Sequence, residues 1–232
     1  MEQQVINSIV SDCISERKNI VREPLDFPTL LLCSNPFRFS GDMTVEQIVD
    51  LILERHKEKS EHTILGDLLE RIAICMNHIV DGGIKSKEVD VDLEISEKNT
   101  FYGIKNSPKW GNANQLRAVF QTFVKMKMLG KKFSVLCLYG RSKKRRKETF
   151  PQFGGQESWY HISGDDEAYQ KVWVALDHNK DKYRQFIRDI YFCDRSKAVE
   201  WFKQNFYTDN KLNFHKLNEY ISSKNKVKVT KW

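Results

Sequence analysis

The stretch VDVDLEISEKNTFYGIKNSPKWGN, residues 89–112, switches the chain from a helical period to a period of two. Val89, Val91, Leu93 and Ile95 fall on one face, and Asp90, Asp92 and Glu94 on the other. Beyond a turn, Tyr102 and Ile104 alternate with Phe101, Gly103 and Lys105. The two segments read as an antiparallel hairpin. Cross-strand neighbours share a face, so the acidic face must meet the Gly103/Lys105 face. A four-residue turn, EKNT, satisfies this and pairs Asp92 with Lys105 and Glu94 with Gly103. A six-residue turn, pairing Asp92 with Gly103, preserves the faces as well. A two-residue turn would place Asn-Thr where a type I′ hairpin needs positive φ twice, which is poor chemistry.

In the preferred register Gly103 leaves space opposite Glu94, whose carboxylate would lie beside Asp92. Paired carboxylates suit a hard divalent ion such as Mg²⁺, which keeps several waters. Lys105 next to them could hold a phosphate oxygen or orient a water, the equipment of metal-assisted phosphodiester hydrolysis. The same spacing also fits an ordinary exposed hairpin whose Asp92–Lys105 ion pair contributes little. Spacing alone leaves both readings open.

Working outward, apolar residues at Val5, Ile9, Cys13 and Ile14 predict a helix over 3–18. The segment REPLDFPTLLLCSNPFRFSGDM is broken by Pro24, Pro28 and Pro36 and reads as irregular. TVEQ at 44–47 is a capping box that opens a helix bearing Val45, Ile48, Val49, Ile52 and Leu53. A separate helix is expected from about Ile64 to Ile79, closed by Asp81-Gly82-Gly83. After the hairpin, a helix carries Leu116, Val119, Phe120 and Phe123 and stops at Gly130. FSVLCLY, 133–139, is a continuous apolar run, as in a strand covered on both sides. Ser163 is read as the cap of the next helix, and further helices follow to about 223. The order predicts an α/β fold: a small mixed β-sheet flanked by helices, with extra C-terminal helices. The 232 residues are expected to form a single domain, its catalytic core at about 44–140 and a C-terminal helical part at about 163–223.

Composition narrows the class. Charged residues make up 30% and hydrophobic ones 40%, which suits a globular core and argues against a membrane protein. FPTLLLCSNPF is too short to span a bilayer, and the N-terminus lacks the pattern of a signal peptide, so a cytoplasmic protein is expected. Five cysteines without a C-x-x-C pair, and six histidines without ligand spacing, argue against zinc. The net charge of +7 is concentrated at RSKKRRKE, 141–148, and in the tail from 224. Such runs are either solvated loops or contacts for a polyanion, in this setting nucleic acid.

The string VDLEI…FYGIKNSPKWGNANQ resembles the active-site region of type II restriction endonucleases of the PD-(D/E)XK superfamily. SNPFRF, GDLLERI and LCLYGRS fall in a similar order around it, so the resemblance spans roughly residues 33–142. It implies a restriction-endonuclease-like core, Mg²⁺ as cofactor and double-stranded DNA as substrate. It also implies a homodimer, no membrane, and a cognate DNA methyltransferase as a separate protein. Position by position, Asp92 resembles the first metal-binding aspartate and Lys105 the catalytic lysine. Gly103 stands where the pattern calls for an acid. Glu94 and Glu70, ranked level, and then Asp90 are the candidates for the second metal ligand. Glu70, in GDLLERI, lies on a helical wheel opposite Leu65, Leu68 and Ile72 and shares its side with Gly66, Ala73 and Asn77. Asn112, Asn114 and Gln115 read equally as caps of the next helix and as contacts to DNA phosphate. Trp110 reads as a packing anchor. Lys143, Lys144, Arg145, Arg146 and Lys147 are expected mostly along the DNA backbone, and Arg145, Arg146, Gln152 and Gln156 are candidates for base contact.

The function this implies is a type II restriction endonuclease cutting at a short specific site to leave a 5′-phosphate and a 3′-hydroxyl. The rival readings are a non-catalytic DNA-binding protein on the same scaffold, a structure-specific repair or recombination nuclease, and a structural protein serving another polyanion.

Overall fold

The computed structural model describes residues 1–18, 26–88, 90–107, 110–140, 150–190 and 193–226. Helix α1 (Gln3–Lys18) is followed by α2 (Phe27–Leu32), a 3-10 turn at Pro36–Arg38, and α3 (Val45–Asp81). Strands β1 (Ile84–Lys85), β2 (Leu93–Ile95) and β3 (Thr100–Lys105) lead to α4 (Ala113–Met128), β4 (Lys132–Cys137) and β5 (Gln152–Gly154). The chain continues through α5 (Gln156–Ser163), α6 (Ala168–His178), α7 (Lys180–Ile190) and α8 (Arg195–Phe206). A small hairpin, β6 (Tyr207–Thr208) and β7 (Lys211–Leu212), precedes α9 (Phe214–Lys226). Among the described residues no helix is long and apolar enough to cross a membrane.

The fold groups into two compact units. One comprises Met1–Ile20 and Thr63–Arg184, the other Val21–His62 and Gln185–Trp232. The first is built on a five-stranded mixed sheet in the order β1-β2-β3-β4-β5, antiparallel up to β3 and parallel from there to β5. Helix α4 makes the crossover that two parallel neighbours require. On one face Phe101, Phe133, Val135 and Cys137 form a buried core with Val91, Val119, Met126 and Phe150. Elsewhere in this unit Leu68, Leu69, Ile72 and Met76 of α3 and Trp159 of α5 are fully buried. The Trp159 indole donates to the Leu138 carbonyl at 2.8 Å, and the Asn77 amide to that of Ile162 at 2.7 Å. The second unit packs around Phe27, Ile48, Ile52, Phe202, Phe206 and Leu217, with Trp201 and Tyr220 at its margin.

Several expectations are corrected. The segment around Pro28 is not wholly irregular: Asp26 caps α2 through the Thr29 N–H at 3.2 Å, and proline at the start of a helix gives up no needed donor. The two helices expected between 44 and 79 are one. The intervening ERHKEKSEH has no apolar stripe but is rich in Glu and Lys, contains neither Gly nor Pro, and carries a Lys57–Glu61 pair one turn apart at 3.8 Å. That helix ends at Gly82, whose φ of +68° favours glycine. Ser163 ends α5 and does not open a helix. Its hydroxyl donates to Trp159, Gly164 follows at φ +68°, and α6 starts after Glu167 without a side-chain cap. Both β5 and α5 lie where the sequence reads as a loop.

Candidate active site

The strand expected from Val89 begins only at Leu93. Asp90 adopts φ +59°, which takes the chain out of the extended conformation, and Val89 itself lies outside the described residues. The register is Leu93↔Tyr102, Glu94↔Phe101 and Ile95↔Thr100. This is the pairing that sets Asp92 toward Gly103, expected with a six-residue turn but made here around four residues, 96–99, and not the preferred pairing of Asp92 with Lys105. Ser96–Lys98 form a 3-10 turn and Asn99 takes φ +50°, so the connection closes one residue earlier than EKNT would.

Asp92 sits where the β2–β3 ladder stops. Its Oδ2 accepts the Ile104 N–H at 2.7 Å and lies 3.7 Å from Lys105 Nζ. The aspartate of the acidic alternation and the lysine ending β3 thus meet at one carboxylate. The other oxygen, Oδ1, is 3.4 Å from Lys85 Nζ, and the same ammonium is paired with Glu70 Oε1. Lys85 therefore joins β1 and α3, and bridges Glu70 to Asp92. Burial disfavours its charge, but the hydrogen bonds and charges of the two acids outweigh this and raise its pKa. Asp92 and Glu70 are partly enclosed, with 18% and 26% of their side-chain surfaces exposed.

The helix bearing Glu70 comes close because its neighbours are small. Gly66 is buried, and a Cβ there would run into the side chain of Asn106, the residue after Lys105.

Glu94 does not share this cluster. It pairs with Phe101 and Ile84, and its carboxylate accepts from the hydroxyls of Ser96 at 2.9 Å and Ser86 at 3.4 Å. Gly103 does not leave open space either. A Cβ there would lie 3.2 Å from the Asp90 carbonyl oxygen and 3.3 Å from the Phe133 ring. Asp90 thus enters the site through its main chain. Restoring the acid of the pattern is therefore expected to harm the protein: Gly103→Glu lowers stability by about 1–3 kcal/mol through overpacking and does not raise cleavage. Urea unfolding and a cleavage assay measure the two effects. Parental stability with faster cutting would mean that the Asp90 main chain yields freely.

The loop after Lys105 is organised by local chemistry. Lys105 Nζ stands 5.7 Å from the centre of the Trp110 ring, which packs 6.5 Å from Phe150. Asn112 accepts the N–H groups of Asn114 and Gln115, each at 3.1 Å, while Gln115 Oε1 accepts the Asn112 N–H at 2.9 Å. This capping box occupies the Asn112 and Gln115 oxygens; their amide donors and the Asn114 side chain remain on an exposed turn. Lys143, Lys144, Arg145, Arg146 and Lys147 lie outside the described residues. Gln152 is in β5 and Gln156 begins α5.

Lys85 is the member that sequence reasoning missed. It belongs to a strand of two residues, too short for any periodicity to show. Among the described residues no group of three or more His, Cys, Asp or Glu side chains gathers to hold a metal. What converges is one pair of carboxylates, all-oxygen donors. That pair fits Mg²⁺, which is commonly held by one or two carboxylates and completes its shell with waters and substrate phosphates.

Over residues 2–184 the chain matches the model of the family described as type II restriction endonuclease EcoO109I. No curated protein matches it.

Proposed function

The chain belongs to the EcoO109I family of type II restriction endonucleases, and from that premise we propose that it is a Mg²⁺-dependent phosphodiesterase whose site is Asp92, Lys105 and Glu70. DNA is the substrate that the family implies. The observation that carries the residue assignment is the Asp92 carboxylate, fixed by the Ile104 N–H at 2.7 Å with Lys105 Nζ 3.7 Å away and Glu70 joined to it through Lys85.

Asp92 and Glu70 would hold the ion between β2 and α3. The chemistry a bound Mg²⁺ would supply there is polarisation of the scissile phosphate and a lowered pKa for the attacking water. Asp92 is held to one orientation by the Ile104 main chain, so a ligand oxygen is placed before substrate arrives. Lys105 lies 3.7 Å from the other oxygen of Asp92, Oδ2, and 5.7 Å from the Trp110 ring centre, and from beside the ligand it would orient the water or offset charge growing on phosphorus. Attack in line leaves a 5′-phosphate and a 3′-hydroxyl. A short symmetric site cut on both strands calls for a homodimer with two-fold symmetry. The basic run 141–147 would supply phosphate contacts and steep salt dependence. A separate cognate methyltransferase and a cytoplasmic location complete the reading.

Incubation with phage DNA and Mg²⁺ tests it. Discrete fragments that require the metal are the expected result. A smear would favour a structure-specific or unselective nuclease, and binding without cutting would favour the non-catalytic scaffold that Gly103 raises.

A further inference from the structure

We propose that Lys85 is a resident cation that holds Glu70 and Asp92 together in the metal-free protein and competes with the divalent ion for them. The inference rests on the reading of Asp92 and Glu70 as metal ligands and adds a residue that this reading does not require.

The geometry is specific. The Lys85 ammonium pairs with Glu70 Oε1 and lies 3.4 Å from Asp92 Oδ1, while Lys105 takes the other Asp92 oxygen at 3.7 Å. The oxygens that would face an ion between α3 and β2 are therefore those that already face an ammonium. Without that charge, two partly enclosed carboxylates would confront each other across the gap with, among the described residues, Lys105 as the cation beside them, an arrangement that like-charge repulsion disfavours. A divalent ion entering the gap needs the same oxygens, and two cations cannot share them at contact distance. The ammonium is placed to leave. The Lys85 main chain is fixed by its register with Leu93, but its side chain is 55% exposed, so it can swing outward without opening the core. Lys85 thus acts as a positioning residue: it keeps the two ligands near each other, and metal binding must first break its two contacts.

The test is Mn²⁺ binding to the whole protein without DNA, followed by calorimetry and by the electron paramagnetic resonance of free Mn²⁺. Lys85→Met is expected to bind Mn²⁺ about tenfold more tightly, since ion pairs of this partly exposed kind are weak individually but two are lost together. It should also melt below the parent without metal and gain more in melting temperature when Mn²⁺ is added. Lys98→Met, which removes one positive charge from the Asp81 pair instead, should leave the affinity at the parental value. If Lys85→Met folds poorly, Lys85→Gln makes the same comparison with a polar neutral side chain. Unchanged or weaker Mn²⁺ binding in the Lys85 variants, alongside loss of binding in Asp92→Asn, overturns the competition while leaving the metal site standing. Parental Mn²⁺ affinity in Asp92→Asn overturns the metal site itself.

Discussion

Asp92→Asn and Lys105→Ala are each expected to slow DNA cleavage by about a thousandfold or more, with the melting temperature changed by only a few degrees. Asparagine is the informative replacement at 92. The carboxylate accepts the Ile104 N–H at 2.7 Å, and alanine would leave that donor without its partner. An amide oxygen retains the acceptor and removes only the charge, so a loss of activity reports on chemistry and not on a broken strand end. Lys105 bears 26% of its side-chain surface to solvent, and its truncation opens no deep cavity. Single-turnover cleavage with saturating protein, alongside circular dichroism, separates the two effects. A parental rate in either variant removes the residue from the site.

The contrast between Glu70→Gln and Glu94→Gln has nearly the same reach. The sequence ranks them level, Glu94 by strand pairing and Glu70 by the family resemblance, yet of the two Glu70 is tied to Asp92, through Lys85. Glu70→Gln is expected to reduce cleavage by about a hundredfold or more, as loss of a charged metal ligand should. Glu94→Gln keeps its oxygen for Ser86 and Ser96 and should cut within about threefold of the parent, since surface changes of this kind leave little imprint. Cleavage rates at several Mg²⁺ concentrations check both: the Glu70 loss should lessen as metal rises. A larger defect at 94 than at 70 would reverse the assignment.

Most of the sheet region was legible because alternation and burial run together there. Phe101 to Lys105 and Phe133 to Cys137 appear as strands where the sequence places them. What misled was conformational and local. Asp90 in a left-handed conformation looks, in a string of letters, like one more step of the V-D-V-D alternation. The turn misled as well: Ser96–Lys98 and the left-handed Asn99 close the connection one residue early, and the register changes by two, which moves Gly103 from Glu94 to Asp92. Glu70 was visible as a candidate through the resemblance that GDLLERI helps to carry, on the side of α3 that also holds Gly66, Ala73 and Asn77. Its partner Lys85 was not, because a strand of two residues carries no pattern. The unbroken α3 was hidden for the opposite reason. A charged stretch without apolar periodicity looks like a linker, although every residue in it tolerates a helix.

The split arrangement of the unit that carries the five-stranded sheet bears on how it is made. Its first segment, α1, is anchored to α6, with the Gln3 amide donating to the Lys171 carbonyl at 2.9 Å. A ribosome delivers these two halves far apart in time, and residues 21–62 of the other unit emerge between them. Helix α1 meets Arg71 of α3 through Glu16 first, but must wait for α6 until residues 168–178 have been synthesised. Nascent chains released before then would carry an unclosed sheet region and an amphipathic helix without its α6 contact, and those are the species on which chaperones and proteases act.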